Sequence, residues 1–450
     1  MESLWRKETG EIKCQKSNGK SEKEHADTKY DVIVIGAGMA GILIAYYLQE
    51  AGKKVVVLEA KTIASGQTEG TTAKITSQHG LKYSHLLNTV GLEKARLYAR
   101  ANEEAIREYE RLISKKRIDC QFQTTTAYLY ATEDERPLKE EVRVATLLGI
   151  DAYYAEKTEL PFDVLGVAGF RNQAQFQPLE FLKQMCDELV VLEKVQVQKI
   201  IGQKVVAKQS TFTADNIVVA THYPLKNVPG FYFLRQHQER SFSLALSGCE
   251  KPEGMYLGID GEELSFRQAG DYLLLGGYSH RTGHQKRCYA RLKLEEYAKK
   301  YYPQAKPEAF WAAQDCMPHD GIPFIGRYSW FTPNLYVATG FQKWGMSSSM
   351  VAALLIRDEI CGIKNQYSKV FSPQRFHFEA GKQDFLIDVK ESAKGLFRGV
   401  FCKKAPRCTH LGCGLHWNAE EGSWDCACHG SRFNKQGEIM DNPAKKDIRF

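Results

Sequence analysis

The chain has 450 residues, of which 43% are hydrophobic and 26% charged, values typical of a globular protein with two or three domains. The net charge of +7 is small for this length, and no Lys- and Arg-rich block with interleaved aromatic residues indicates nucleic-acid binding. No apolar run reaches the ~20 residues of a membrane-spanning helix, and the N-terminus lacks the apolar segment of a signal peptide. We therefore expect a cytoplasmic protein that does not span a membrane.

Residues 1–29 are predicted to form a polar N-terminal arm. Lys, Glu and Ser dominate residues 16–24, which we expect to be mobile. Leu4 and Trp5 are apolar and could anchor the start of the chain against the body.

The first long apolar part of the chain has the order strand, glycine-rich turn, helix, strand, and ends at Glu59 and Ala60. Gly36 allows a tight turn, Gly38 lets the backbone approach a pyrophosphate, and Gly41 lets the helix pack closely on the strand. Glu59, about 20 residues after the turn, is placed to accept hydrogen bonds from a ribose. The pattern predicts a dinucleotide site, but it does not distinguish FAD from NAD.

The next segment, 63–80, is rich in glycine and hydroxyl side chains. A plain surface loop is one interpretation. Because the segment follows the acid-ended strand, its small residues and N–H groups also suit the phosphates and ring edge of a flavin; the candidates are Gly66, Thr71, Thr72 and Ala73. Residues 92–115 then have the spacing of an amphipathic helix.

The middle of the chain predicts a return to the nucleotide domain and then a second layer. Short strand patterns between 195 and 220 would bring Val197 near an adenine. Residues 231–278 alternate apolar and polar side chains between glycine turns, which predicts an antiparallel sheet able to roof a substrate pocket. Its polar candidates could equally be ordinary sheet-surface residues: Arg267, Tyr272, Tyr278, His280 and Arg281.

A second strand–glycine–helix joint lies far from the first in sequence. A strand at 334–339 leads into Gly340, and Gly345 and Met346 precede a helix rich in small residues. N–H groups at the start of that helix would suit an electron-accepting carbonyl, and Lys343 lies within the turn.

These motifs together resemble the FAD-dependent D-amino-acid oxidase superfamily, which includes glycine and sarcosine oxidases. The resemblance covers about residues 28–362 and rests on four segments in the order of the family, namely 36–59, 65–73, 320–326 and 338–346. It implies FAD rather than NAD, with segment 340–346 near the pyrimidine edge of the flavin. It also implies hydride removal from the C–N bond of an amine or amino acid.

The same resemblance implies how the chain is divided. We expect an FAD domain at 30–80, 195–225 and 315–362, and a substrate domain at 81–194 and 226–314.

The catalytic candidates are Lys343, Arg267 and Tyr272, although no arginine stands out as the partner of a substrate carboxylate. Cys316 lies near the position where some members attach flavin covalently. Its spacing to Asp320 is shorter than in those oxidases, which favours a buried thiol.

A polar connection at 363–401 is predicted to lead to a cysteine-rich end. Five of the twelve cysteines fall within 27 residues, which indicates a metal site or a local disulfide: Cys402, Cys408, Cys413, Cys426 and Cys428. The other seven are scattered, as expected of buried thiols in a reducing compartment. A C-x-H pair and a C-x-x-H pair lie fifteen residues apart, and their two thiolates and two imidazoles would suit zinc or a [2Fe–2S] centre.

The two cysteine–histidine boxes, CTHLGC and C-x-CHGS, resemble those of the Rieske family of the cytochrome bc type. Phe433 stands where high-potential members have a tyrosine that donates to a cysteine sulfur, so we expect a lower reduction potential. The all-β module, at 402–450, is so short that we expect it to lean on the flavoprotein body. The resemblance implies a [2Fe–2S] cluster held by Cys408, His410, Cys426 and His429, and a disulfide between Cys413 and Cys428.

We therefore expect an α/β (α+β) protein with a Rossmann-like FAD-binding domain, an antiparallel-sheet substrate domain and a minimal Rieske module. The expected function is oxidation of an amine or amino acid, with electrons passing singly through the cluster to an external one-electron carrier protein. Alternatives are a reductase that takes electrons inward, and a flavoprotein whose cluster is a redox sensor or structural element. A ring-hydroxylating oxygenase would need a downstream mononuclear iron domain. Because 21 residues follow His429, we do not expect this class of enzyme.

Overall fold

A computed structural model describes residues 2–14, 21–284, 289–401 and 405–449. No helix in these ranges is both long and apolar enough to cross a bilayer. The helices are α1 Leu4–Thr9, α2 Glu22–Ala26, α3 Met39–Glu50, α4 Gln67–Gly70, α5 Lys82–Val90, α6 Leu92–Lys116, α7 Arg136–Leu148, α8 Pro178–Cys186, α9 Ala290–Tyr301, α10 Gly345–Ile360, α11 Ser368–Phe371 and α12 Phe378–Phe401.

The strands form three sheets. They are β1 Lys29–Ile35, β2 Val55–Leu58, β3 Lys74–Ile75, β4 Gln123–Ala131, β5 Ala152–Ala155, β6 Gly166–Gln175, β7 Val191–Leu192, β8 Val197–Ile201, β9 Lys204–Ala207, β10 Thr211–Val219, β11 Gln236–Ser247, β12 Met255–Gly258, β13 Ser265–Ala269, β14 Tyr272–Arg281, β15 Lys306–Pro318, β16 Phe324–Arg327, β17 Leu335–Thr339, β18 His416–Asn418, β19 Ser423–Asp425, β20 Arg432–Phe433 and β21 Ile439–Asp441.

The first sheet has the order β16-β17-β10-β1-β2-β7, with the β8–β9 hairpin continuing from β10. Strands β17, β10, β1, β2 and β7 are mutually parallel, as in a dinucleotide-binding domain. The central parts of β1, β2, β10 and β17 are apolar because both faces of the sheet are covered there. Two core clusters result. Val32 and Val34 belong to the cluster that contains α3 and α10, whereas Ile33 and Ile35 belong to a second cluster, which includes Phe212.

The second sheet has the order β15-β11-β14-β13-β12-β4-β6-β3, with β5 beside β6. The sequence predicts an antiparallel sheet, and every pair but one is antiparallel. The exception is β12 with β4, which run parallel because they come from separate excursions of the chain.

The N-terminal arm is anchored at its start. Leu4 and Trp5 are buried, and the Trp5 indole donates to the Thr71 carbonyl at 2.6 Å. Of the stretch predicted to be mobile, residues 16–20 lie outside the described residues. The rest leads into α2, where Ser21 and Glu24 form a capping box.

The segment 363–401, which we predicted to be a polar connection, contains α11 and the 24-residue α12. The sequence pattern did not indicate α12 because this helix does not bury an apolar stripe. Its inward face carries glycines instead, and an added Cβ at Gly395 or Gly399 would overlap the cysteine-rich loops. The third sheet, β18-β19-β20-β21, follows and supports those loops.

Candidate functional site

A cavity of about 1130 Å³ lies between the first two sheets, and the glycine turn after β1 forms one of its walls. Gly36 has φ +105°, and an added Cβ there would lie 2.5 Å from the Ala220 carbonyl oxygen. At Gly41 an added Cβ would overlap the Gly36 carbonyl oxygen, so this glycine permits the helix to approach the turn. Gly38 lines the cavity directly before α3 begins, as a dinucleotide pyrophosphate requires.

Glu59 lies at the end of β2 and lines the same cavity. Its two carboxylate oxygens accept from the backbone N–H groups of Ala37 and Lys61, each at 2.8 Å. Burial raises the pKa of this carboxyl above its usual value. Ala60 and Val197 line the cavity beside it, so this end has the residues expected around a ribose and an adenine.

The loop after β2 and the joint before α10 contribute the other predicted contacts. Gly66, Thr71 and Thr72 line the cavity, and Ala73 lies behind them with its carbonyl facing Arg267. The joint residues that line the cavity are Gly340, Lys343, Gly345 and Met346. The donor-rich turn, the buried acid and the small-residue walls fit FAD.

Of the three catalytic candidates, only Lys343 lines the cavity. Arg267 is buried behind the wall, where its guanidinium donates to the carbonyls of Thr72 at 2.8 Å and Ala73 at 2.6 Å. It therefore holds the cofactor loop from outside. Tyr272, at the start of β14, packs against the main core and does not reach the cavity.

The second sheet roofs the cavity and brings a group of charged side chains to it. Asp315, on β15, accepts a hydrogen bond from Ser241 at 3.0 Å, and burial raises its pKa to about 6. Lys343 Nζ lies 3.0 Å from a Glu263 oxygen and 3.9 Å from a Glu239 oxygen. Burial opposes the charge on Lys343, but these two carboxylates outweigh it and raise the pKa of the lysine.

Besides Asp315 and Glu263, two further polar residues that line the cavity were not among the predicted candidates. Lys82 donates to the Gly321 carbonyl at 2.9 Å and to Gln342 at 2.8 Å, and burial lowers its pKa to about 8. His79 stacks on Trp344 with ring centroids 4.8 Å apart, and burial lowers its pKa to about 3, so it is neutral. Their positions depend on contacts between distant segments, and local sequence gave no signal for them.

Cys316 is buried and does not line the cavity, whereas its neighbours Asp315 and Met317 do. This follows from the alternation of side chains along β15. Its sulfur lies 3.3 Å from His222 Nε2, and burial raises the pKa of the thiol. The geometry fits a buried thiol rather than a flavin attachment point.

The two cysteine–histidine boxes converge in the third domain. The rings of His410 and His429 have centroids 5.0 Å apart, and both Nδ1 atoms are buried without a hydrogen-bond partner in the part of the chain that the structure describes. Cys408 and Cys426 are buried beside each other and hydrogen-bonded through their thiols. Two thiols and two unsatisfied imidazole nitrogens in one place fit a [2Fe–2S] cluster with mixed ligands.

A disulfide joins Cys413 to Cys428 and ties the two loops together. The sulfurs of these residues and of Cys426 lie within 4.8 Å of one another, but the disulfide removes two of them as metal ligands. Phe433 is fully buried in the same cluster of residues, and Ser431 accepts a hydrogen bond from the Ala444 N–H at 3.1 Å. Cys402 lies outside the described residues.

The cluster-bearing module lies against the flavoprotein body through buried polar contacts. Gln238, on β11, donates to the His429 carbonyl at 2.6 Å. Gln314, on β15, donates to Gln238 at 2.8 Å and to the Gly430 carbonyl at 2.8 Å. The Gln314 N–H in turn donates to Gln67, which lines the cavity. A continuous hydrogen-bonded path thus runs from the cavity wall to the backbone of His429.

An ion-pair network adds to this interface. Arg240 on β11 pairs with Glu421, and Arg432 pairs with the same carboxylate at 2.7 Å and with Asp425 at 3.0 Å. All of these side chains are almost fully buried. Beside the cavity, which both residues line, Lys61 donates to the Met440 carbonyl of β21 at 3.0 Å.

The fold and these two sites define a flavin-dependent oxidoreductase that carries an iron–sulfur module. Residues 31–359 match the FAD dependent oxidoreductase (DAO) family, and residues 374–449 match the Rieske [2Fe-2S] domain. The chain belongs to the DAO family of FAD-dependent oxidoreductases and has a Rieske domain at its C-terminal side. The Rieske match begins before residue 402, so it takes in α12.

Known proteins resemble the chain in both parts. The Bacillus subtilis (strain 168) protein YhfW, whose name describes a Rieske 2Fe-2S iron-sulfur protein, is 34% identical over 94% of this chain and 93% of its own length. Glycine oxidase from Geobacillus kaustophilus has a TM-score of 0.66 at 18% identity, covering 77% of this chain and 99% of that structure. L-proline dehydrogenase from P. horikoshii has a TM-score of 0.65 at 18% identity, and the match covers 78% of this chain and 98% of that structure.

Proposed function

We propose that this protein is a dehydrogenase that oxidises the C–N bond of an amine or amino acid and passes electrons singly to an external carrier protein. FAD supplies a hydride acceptor when bound, and the [2Fe–2S] cluster supplies a one-electron acceptor. The substrate would lose a hydride to bound FAD and a proton to solvent and become an imine, and the two electrons would leave one at a time by way of the cluster to the external carrier. We also propose that the protein is cytoplasmic and that four residues hold the cluster, namely Cys408, His410, Cys426 and His429.

The observation that carries the proposal is the glutamine path between the cavity and the cluster. Gln314 and Gln238 lie in β15 and β11, whose other residues roof the cavity, and their amides contact the backbone of the second ligand loop. A cluster that served only as a structural staple would not need a buried hydrogen-bonded connection to the cofactor cavity.

The charges in the cavity support an amine substrate. Asp315 and Glu263 line the cavity beside Lys343, and Glu239 contacts the same lysine from behind the wall, so the surroundings of Lys343 have a local excess of carboxylates, although Lys74 and Lys82 also line the cavity. A carboxylate excess in a partly desolvated cavity favours a cationic ligand such as an ammonium group. The similar structures include an oxidase of glycine and a dehydrogenase of L-proline, which agrees with this class of substrate.

Anaerobic reduction of the holoprotein with candidate amines and amino acids tests the proposal. We expect a substrate to bleach the flavin absorbance and to produce the EPR signal of a reduced Rieske cluster. A reduced flavin beside a persistently oxidised cluster would contradict the electron path. A reduced one-electron carrier as the only donor tests the inward direction, because a reductase would then reduce the flavin at a catalytic rate.

A variant separates electron transfer to the cluster from reduction of the flavin by substrate. Gln238→Leu removes the contact with the His429 carbonyl, so the rate of cluster reduction should fall while the rate of flavin bleaching by substrate stays unchanged. Gln184→Leu, which removes a surface hydrogen bond to Asp119, is the matched control and should change neither rate. Equal rates of cluster reduction in both variants would show that the path is not used.

A further inference from the structure

Helix α12 has its polar and apolar faces the opposite way round from an ordinary surface helix. Its inward face consists of glycines and two acids, Asp388 and Glu391, which pair with His319 at 2.5 Å and His284 at 2.7 Å. The outward side carries seven exposed apolar residues: Leu386, Ile387, Val389, Leu396, Phe397, Val400 and Phe401. A monomeric soluble protein rarely exposes such a contiguous stripe, which therefore indicates a binding surface.

A second exposed apolar element lies near the same region. Trp330 and Phe331 form the tip of the loop between β16 and β17 and are 79% and 84% exposed. Tyr328, at the base of that loop, packs on Tyr232 with ring centroids 5.0 Å apart. Tyr232 belongs to a short turn that also contacts α12 and carries the exposed Leu234. The loop thus contacts the turn, and the turn contacts the helix.

The charges beside the apolar stripe are mainly positive. Lys382, Lys390 and Lys394 are exposed on α12 among the apolar residues, with Lys394 also 2.8 Å from a Glu391 oxygen, and Asp384 is the exposed acid among the described side chains of this helix. The other two described acids of the helix, Asp388 and Glu391, are turned inward. An outward face that mixes apolar side chains with lysines is typical of helices that lie in the headgroup layer of anionic membranes, where the lysine stems reach up to the phosphates.

We propose that the outward face of α12 and the Trp330–Phe331 loop together form a membrane-binding surface for anionic lipid. The helix lies in the plane of the headgroups, its apolar side chains enter the lipid, and its lysines contact the lipid phosphates. A second copy of the chain is a poorer fit, because a two-fold pairing of this face would bring the same lysines together. The proposal does not depend on the direction of electron flow.

The surface adjoins the cluster. Gly399 of α12 packs directly on the backbone of Gly412, in the first ligand loop, and the neighbouring Leu411 is exposed. Binding through α12 would therefore bring the loop that holds His410 next to the membrane.

Co-sedimentation of the full-length holoprotein with vesicles tests this surface. We expect binding to vesicles of mixed phosphatidylcholine and phosphatidylglycerol, much weaker binding to phosphatidylcholine alone, and release by salt. Phe397→Gln and Trp330→Gln should each lower the partition coefficient about tenfold or more, because each removes one buried aromatic anchor. Their flavin and cluster absorbance, unchanged from the wild type, shows that they fold.

Ile201→Gln is the matched control, since Ile201 is 61% exposed on the β8–β9 hairpin and Phe397 is 64% exposed. The control should bind vesicles as the wild type does. Failure to bind anionic vesicles, equal binding to neutral vesicles, or unchanged binding of the two aromatic variants would each overturn the proposal. So would a dimer in solution that Phe397→Gln converts to a monomer without any vesicle binding, because a second copy would then be the occupant.

Discussion

Replacement of Asp315 by Asn should have opposite effects on stability and on substrate binding. The pKa of this carboxyl is raised by burial to about 6 from a model-compound value of 3.8. At 1.36 kcal/mol per unit of pKa shift, ionisation of this carboxyl lowers the free energy of unfolding by about 3 kcal/mol above pH 7. This is an upper value because Asp315 is partly accessible through the cavity.

The sign follows from the raised pKa of the folded state. The folded protein binds the proton more tightly than the unfolded chain, so the contribution of Asp315 to stability is complete at low pH and is lost as the pH rises through about 6. The Asn variant avoids this loss. It should therefore unfold with a free energy higher by up to about 3 kcal/mol at pH 8, and the difference should vanish towards pH 4.

Binding should change in the other direction. If the carboxylate receives a substrate ammonium, its loss should weaken binding by about 1.5–3 kcal/mol, or about 10- to 150-fold in Kd, at pH 8. In the wild type, Kd should rise about tenfold per pH unit below pH 6, and in Asp315→Asn this dependence should be absent.

Urea unfolding at pH 8 and pH 5 and substrate titration of the flavin absorbance measure the two effects. Asp119→Asn, which changes an exposed carboxylate far from the cavity, should alter neither. A variant of Asp315 that is less stable at pH 8, or that binds the amine as tightly as the wild type, would refute the reasoning.

Three further changes test the cofactor sites and the interface. Gly41→Ala should abolish flavin binding, seen as loss of the yellow absorbance, because its Cβ would overlap the preceding turn. Phe433→Tyr should raise the reduction potential of the cluster by restoring a donor to sulfur, measured by redox titration. Arg240→Ala should destabilise the cluster-bearing module by about 3–5 kcal/mol in thermal unfolding, because it leaves Glu421 buried and unpaired.

Each of these changes has a control or a contradicting result. Gly202→Ala, in the β8–β9 hairpin outside the cavity, adds a Cβ that meets nothing within 4 Å and should retain flavin. A potential of Phe433→Tyr equal to that of the wild type would show that residue 433 does not reach the sulfurs. Arg136→Ala removes an exposed ion pair with Asp134 and should leave thermal unfolding unchanged.

Most of the fold was predictable because its signals are local. The order of strand, glycine turn and acid around Glu59 needs no distant contact to be recognised, and neither do the two cysteine–histidine boxes. Both were assigned to their cofactors from the sequence, and the family matches agree.

The parts that were not predictable depend on long-range packing. Arg267 has the side chain of a substrate-binding residue, and only the tertiary structure shows its donors engaged by carbonyls of the cofactor loop. Helix α12 was not predicted because a surface helix ordinarily turns its apolar residues inward, whereas α12 turns glycines inward. Lys82 and His79 reach the cavity only because segments far apart in sequence meet there.

The order in which the parallel sheet is assembled also affects synthesis of the protein. Strands β1 and β2 are complete by residue 58, but β10 joins β1 at residues 211–219 and β17 completes the parallel core at 335–339. At 5–20 residues per second, a ribosome delivers β17 roughly 15–55 s after β2. During that time the Val- and Ile-rich edges of β1 and β2 lack their neighbours, so slow translation or a shortage of chaperones should favour aggregation over flavin loading.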